Sequence, residues 1–236
     1  LRVDGEYAPA EDYRMDPTAS ALLPAPAGTT RPRLGLVARG DVSALDVALS
    51  GHAPAPVRIG LALRGAGAPD WSFRAASEAL DPALLAGVGE PGTPLAFDLS
   101  AKGTGGHADI RGELARGDLR ATIQPSTVVL DEQVLAFEPL VVDVLDGRVT
   151  VTGRGDFSDP ESADLRYAVI ARDLAWTPAP ADGAPPDAAA TVRADAELGI
   201  AGTAALWALV GEASLARGDD RAEVELRGRG NQQEAD

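Results

Sequence analysis

The chain has 236 residues, enough for one large β domain or two small ones. Hydrophobic residues make up 45% but aromatic residues only 4%, so any core must be built from Val, Leu, Ile, Ala and Gly rather than large rings. A net charge of -15 repels phosphate backbones and anionic bilayer surfaces, which argues against nucleic-acid binding and against docking through a basic patch. The absence of cysteine excludes a disulfide framework, a cysteine zinc site and a thiol nucleophile.

Residues 1–33 carry Pro9, Pro17, Pro24, Pro26 and Pro32 and are expected to be an irregular, proline-rich segment. The chain begins at Leu1 with no basic or apolar leader pattern, and reads as a processed product or a fragment. Strands are expected at 34–39, 42–50, 57–64 and 71–75. Asp81-Pro82 then offers a cap and a first helical residue, predicting one short helical turn over 81–86.

Strands resume at 95–102, 108–115 and 119–124. After a break at Pro125 come short segments at 128–130, 134–137, 140–145 and 149–153, then a clear strand at 165–171. Residues 177–190, with four prolines, read as a loop. Strands at 192–200, 207–215 and 222–228 follow, and 231–236 is a tail. The expected organisation is a β domain over 34–176 continued over 191–230. The uncharged stretch 198–211 is shorter than the roughly 20 residues that span a bilayer.

The dominant signal is strict period-two alternation. Val57, Ile59, Leu61 and Leu63 alternate with Arg58, Gly60, Ala62 and Arg64; Leu95, Phe97 and Leu99 alternate with Ala96, Asp98 and Ser100; Ala222, Val224 and Leu226 alternate with Glu223 and Glu225. Each such strand has one apolar and one wet face. The fold class is therefore all-β. Alternation alone favours a sandwich or barrel whose sheets bury each other; a sheet curled into an open trough is the other arrangement.

Arg-Gly-Asp occurs at 39–41, 116–118, 154–156 and 217–219, each placed between strands. Four copies at such junctions predict turns, with Gly supplying positive φ and Asp bonding its own backbone, rather than an adhesion motif. His52 and His107 follow glycines in turns with no second ligand at strand spacing, so no metal site is expected. Gly105-Gly106-His107-Ala108-Asp109 touches a calcium-binding repeat pattern only once. No nucleophile elbow, phosphate loop or dinucleotide fingerprint is present, and the paired acids Asp219/Asp220 and Asp195/Glu197 fall on turns or wet faces. Trp71, Trp176 and Trp207 lie near strand ends and are expected to pack there. Neither an enzyme nor a cofactor is expected.

The segments 103–119, 140–155 and 162–174 resemble the TamB-type inner-membrane subunits of the translocation and assembly module, within the wider AsmA-like family of bridge-type lipid transfer proteins. Leu80-Asp81-Pro82, and Gly211-Glu-Ala-Ser-Leu215 leading to 226–230, share the style, so that the likeness spans about 40–230. It implies an internal slice of a longer protein: a long, curled, antiparallel-rich sheet forming an open hydrophobic groove, a β-taco. It further implies a periplasmic location in a protein anchored to a Gram-negative inner membrane. The implied role is carrying phospholipid between inner and outer membranes and supporting outer-membrane protein assembly, with an outer-membrane barrel partner engaged by regions outside this slice.

On that reading the groove floor comprises Ile59, Leu61, Leu63, Phe97, Leu99, Ile110, Leu119, Ile123, Val142, Val144, Val149, Val151, Val169, Leu198, Ile200, Val224 and Leu226, which would contact acyl chains. Two other readings compete: a scaffold whose exposed strand edges template outer-membrane β-proteins by strand addition, and a closed β-sandwich with a structural or adhesive role.

Overall fold

A computed structural model describes residues 2–8, 14–25, 30–86, 92–158, 164–178, 190–203 and 206–230. The chain divides into two units, Leu1–Arg120 and Ala121–Asp236. The first holds β1 (Arg2–Ala8), β2 (Arg14–Leu22), β3 (Arg33–Gly40), β4 (Ala44–His52), β5 (Pro56–Arg64), β6 (Asp70–Leu80), α1 (Pro82–Ala86), β7 (Leu95–Thr104) and β8 (His107–Arg116). The second is built from β9 (Leu119–Asp131), which starts at the boundary, β10 (Val134–Val144), β11 (Gly147–Asp156), β12 (Asp164–Trp176), β13 (Val192–Thr203), β14 (Trp207–Arg217) and β15 (Asp220–Gly230).

The protein is all-β and antiparallel apart from the single helical turn. Within each unit every strand pairs with its sequence neighbours, and no pairing returns β8 to β1 or β15 to β9 among the described residues. Each unit is thus one open sheet, and the sandwich or barrel suggested by alternation alone is present in neither. Among the described residues few apolar side chains are buried: Pro32, Ala38, Ala53, Val57, Ala75, Leu84, Ala108 and Ala171. Only Pro32, Val57 and Leu84 among these exceed alanine in size, so the described residues of each unit form no second layer over its sheet.

The helical turn forms where Asp81-Pro82 predicts it. Asp81 Oδ1 accepts the Ala83 N–H at 2.9 Å and Oδ2 accepts the Gly92 N–H at 3.0 Å, so this buried carboxylate both caps α1 and ties down the chain before β7. The tail at 231–236 and residues 179–189 of the expected 177–190 loop lie outside the described residues. That loop connects β12 to β13, which pair with each other in the same unit.

Three expectations need correction, each for a local reason. Residues 1–33 are not wholly irregular, because β1 and β2 pair from Arg2 opposite Ser20 to Ala8 opposite Arg14. Pro17 is accommodated because pairing of β2 with β3 lapses at Asp16 and Pro17, where a missing N–H costs nothing. Pro125 likewise does not end β9. Pairing between β9 and β10 lapses from Gln124 to Thr127, and Ser126 Oγ fills the gap by accepting the Val141 N–H at 3.0 Å and donating to the Gln124 carbonyl at 2.7 Å.

The third correction concerns the Arg-Gly-Asp tripeptides. Those at 39–41, 116–118 and 217–219 do lie at turns, and Asp41 Oδ1 accepts the Ser43 and Ala44 N–H groups at 2.7 and 2.9 Å. The copy at 154–156 keeps the expected aspartate, since Asp156 ends β11 and its Oδ1 accepts the Ser158 N–H at 2.9 Å, and it departs only at its glycine. Gly155 is buried inside β11, between Leu135 and Leu165, and it marks a close approach rather than a reversal.

Candidate functional site

Strand register assembles one continuous apolar face in each unit. In the first, Leu49, Ile59, Ala75, Leu99 and Gly112 follow one another across β4 to β8. The neighbouring rows are Val47, Leu61, Phe73, Ala101 and Ile110, then Leu45, Leu63, Trp71, Gly103 and Ala108. Phe97 stands between Ser77 and Leu114 on the same face. Ile59, Leu61, Leu63, Phe97, Leu99 and Ile110 are therefore brought together.

The second unit repeats the pattern. Leu140, Val151, Val169, Leu198, Gly211 and Leu226 form one row, and Ile123, Val142, Val149, Ala171, Ala196, Ala213 and Val224 another. Val144 and Ile200 lie on the same face, in the adjoining rows. Leu119 opens β9 in the alternation of Ala121 and Ile123, and is 47% exposed. Most of these side chains are half-buried by their own neighbours. Val224 and Leu226 are 36% exposed on the last strand.

Glycine shapes this face in a way that alternation does not disclose. Gly51, Gly112 and Gly211 stand directly opposite Leu34, Leu99 and Leu198. A Cβ on them would lie 2.7, 2.6 and 2.5 Å from the leucine Cδ2, and closer still to backbone oxygen at the first two. Each leucine therefore lies flat over a glycine, and the neighbouring strands crowd together on the apolar side. On the wet face the opposite holds: a Cβ on Gly35 or Gly199 would meet nothing closer than 3.8 Å, and one on Gly60 nothing within 4 Å. The contrast is that of a sheet compressed on its apolar side and relaxed on its polar side.

An aromatic side chain covers the paired glycines of β11. Tyr167 of β12 reaches over β11 at Gly153 and Gly155, and its hydroxyl donates to the Leu135 carbonyl at 3.1 Å. Its ring centre is 5.8 Å from that of Phe137, tilted by 47°. Burial raises the Tyr167 phenol above its ordinary pKa. In the first unit, Trp71 Nε1 donates to the Gly105 carbonyl at 2.8 Å and seats its ring beside the β7–β8 turn. Among the described residues one buried side-chain polar atom is left without a partner, Ser77 Oγ, which lies between Val57 and Phe97.

The wet face carries exposed ion pairs: Arg39 with Asp16 at 3.0 Å, Arg64 with Asp46 at 2.7 Å, Arg148 with Asp143 at 2.7 Å, and Arg172 with Glu197. The Arg148 guanidinium, helped by Gln124 Nε2, holds the Asp143 carboxyl below the usual carboxylate range. Two shallow depressions also lie on this side. One, of about 580 Å³, is bounded by Val37, Ala48, Gly60 and Arg74; the other, of about 750 Å³, by Ala168, Ile170, Gly199 and Val210. Val37, Ile170 and Val210 are 41%, 40% and 59% exposed there, apolar residues that sequence alternation does not single out.

Among the described residues no group of three or more His, Asp or Glu is placed to hold a metal ion. His52 ends β4 opposite Pro56, and His107 opens β8 after the Gly105–Gly106 turn. No protein-family model matches the chain, and no curated protein or solved structure shows significant similarity to it.

Proposed function

We propose that this chain is a non-enzymatic segment of a periplasmic conduit whose apolar face carries phospholipid acyl chains between inner and outer membranes, with a role in outer-membrane protein assembly. The observation that supports this reading most directly is the uncovered aliphatic face. Sixteen of the seventeen residues singled out by alternation stand in strand-paired rows within one unit or the other, and no described residue forms a layer above them. Each methylene shielded from water on such a surface contributes about 0.8 kcal/mol. A continuous floor therefore holds acyl chains without specific pockets, and lets them slide because every row offers the same surface. The acidic wet face offers phosphate headgroups little pairing, which leaves them in solvent at the open side.

The test is site-specific photo-crosslinking in the intact protein in cells. Crosslinkers at Leu99, Val151 and Leu198 are expected to capture phospholipid, whereas those at Arg58 and Glu223 on the wet face are not. A Leu99→Asp or Val151→Asp variant, which sets a charge in the hydrocarbon path, is expected to stop transfer while expressing and folding normally. Equal lipid capture on both faces, or undiminished transfer by a well-folded Asp variant, overturns the conduit reading.

A further inference from the structure

We infer that Arg116 and Arg217 hold the phosphate of the carried lipid at one end of each apolar face. Headgroups then line up along that end, and the acyl chains run along the strands away from it. This rests on the conduit reading and adds to it which way each lipid lies. Among the paired positions on the apolar face of β1–β8, Arg116 is the one charged residue, closing the row Leu80, Leu95, Arg116 at the end of β8. Within β9–β15 the paired apolar positions hold charge only at Arg217 and Asp220, which end β14 and begin β15. Both arginines belong to Arg-Gly-Asp turns, whose glycine and aspartate the reversal explains and whose arginine it does not.

Neither guanidinium is engaged. Among the described residues Arg116 and Arg217 make no hydrogen bond or ion pair, although Asp220 stands opposite Arg217. Arg39, from a third such tripeptide, stands on the wet face and is paired with Asp16. Arg116 and Arg217 are exposed at the brink of the hydrocarbon, where an arginine lays its stem on apolar surface and keeps its head in water. A lipid with its tails on the floor brings its phosphate to that level, and guanidinium binds phosphate through two parallel charge-assisted bonds. Trp176 stands in the row Trp176, Val192, Arg217; it is 54% exposed, and its indole N–H has no acceptor among the described residues. An indole so placed suits the ester level between hydrocarbon and water.

The opposite end of each face carries no charge. Its rows are Leu63, Trp71, Gly103 and Ala108 in the first unit, and Leu165, Gly202 and Trp207 in the second. Trp71 has already given its N–H to the Gly105 carbonyl. From Arg116 back to Ala108 the strand covers roughly 26 Å, and from Arg217 back to Trp207 roughly 33 Å. Half the hydrocarbon core of a bilayer is about 15 Å deep, so a tail laid along the strand from either arginine ends on the floor. Lipids facing the other way would find no cation. Asp220 opposite Arg217 accepts the cationic group of a zwitterionic headgroup, so a zwitterionic probe meets both charges of this end.

The test is calorimetric titration of the whole chain with dihexanoylphosphatidylcholine and with dihexanoylglycerol, which has the same tails and no phosphate. The parent is expected to bind the phospholipid about tenfold more tightly at low salt, with the preference shrinking as salt rises. An Arg116→Gln/Arg217→Gln variant is expected to lose that preference and keep the parent's affinity for dihexanoylglycerol. Arg116→Lys/Arg217→Lys is expected to retain most of it. Inorganic phosphate alone is expected to give no binding heat. Both side chains are exposed, and circular dichroism verifies that the variants fold. A parent without preference, or a preference that survives in the glutamine variant, overturns the proposal and leaves the conduit reading standing. Saturable binding of inorganic phosphate that the glutamine variant lacks overturns it in favour of a free-anion site. A parent that binds neither amphiphile overturns both readings.

Discussion

Ser77 is the one buried side-chain oxygen without a partner among the described residues, and it lies among hydrocarbon on the apolar face of β6. Desolvating a hydroxyl without a compensating bond costs about 1–3 kcal/mol. Ser77→Ala is therefore expected to be neutral or to stabilise the fold by up to about 1 kcal/mol, read as an unchanged or higher denaturation midpoint; a clear loss would mean the hydroxyl has a partner after all. Gly112 makes the complementary case. A Cβ there would lie 2.4 Å from the Asp98 carbonyl oxygen and 2.6 Å from Leu99 Cδ2, so Gly112→Ala forces strand or side chain to move. Overpacking of this kind costs about 1–3 kcal/mol. Gly60→Ala, on the relaxed wet face with nothing within 4 Å, serves as the control and is expected to leave thermal stability nearly unchanged.

At the scale of strands and turns, what sequence could reveal followed from period two and what it hid followed from local geometry. The apolar rows were legible because alternation dictates the face of every residue once a strand is recognised. Strands running through Pro17, Pro125 and Pro139 were not, because a proline reads as a breaker unless one knows that pairing lapses beside it. The β10–β11 turn was displaced by one residue for a similar reason. The expected strands at 140–145 and 149–153 leave 146–148 for the turn, yet its central residues are Leu145 and Asp146, at φ 52° and 61°, and Gly147 opens β11. A Cβ on Gly147 would lie 2.3 Å from the Arg172 carbonyl oxygen, so that glycine serves strand approach rather than reversal.

The Arg148–Asp143–Gln124 cluster, which joins β9, β10 and β11 on the wet face, predicts a pH response. Its carboxyl pKa is lowered in the folded chain, so its stabilising contribution is present above the ordinary carboxylate pKa and is lost as pH falls through the folded value. Acid unfolding of an Asp143→Asn variant is expected to depend less on pH in the region below about 4 than that of the parent chain. An identical acid profile for the two would show that the carboxylate does not stabilise the folded sheet.

For the whole molecule, exposed surface distinguishes this chain from an ordinary β protein. Among its described residues, large apolar side chains such as Val37, Leu119, Ile170 and Val210 stand from 40% to 59% exposed. Its 36 acidic residues, against 21 basic ones, give mutual repulsion that keeps so much hydrocarbon from collapsing onto other copies at random.

Because each strand forms its backbone ladder only with its predecessor and successor among the described residues of a unit, the sheets are assembled like a row of tiles rather than a closed vault. Contacts are short in sequence, and stability accumulates from nearest-neighbour couplings, as it does in solenoid repeats. Removing one complete hairpin, such as β4 with β5, takes out an even number of strands and lets β3 meet β6 in the same orientation, with both surfaces conserved. Such a shortened chain is expected to fold with near-parental circular dichroism, whereas removing β5 alone reverses the direction of every later strand and is expected to aggregate. Growth and loss by whole hairpins is thus open to this architecture in evolution, with reach as the quantity that varies.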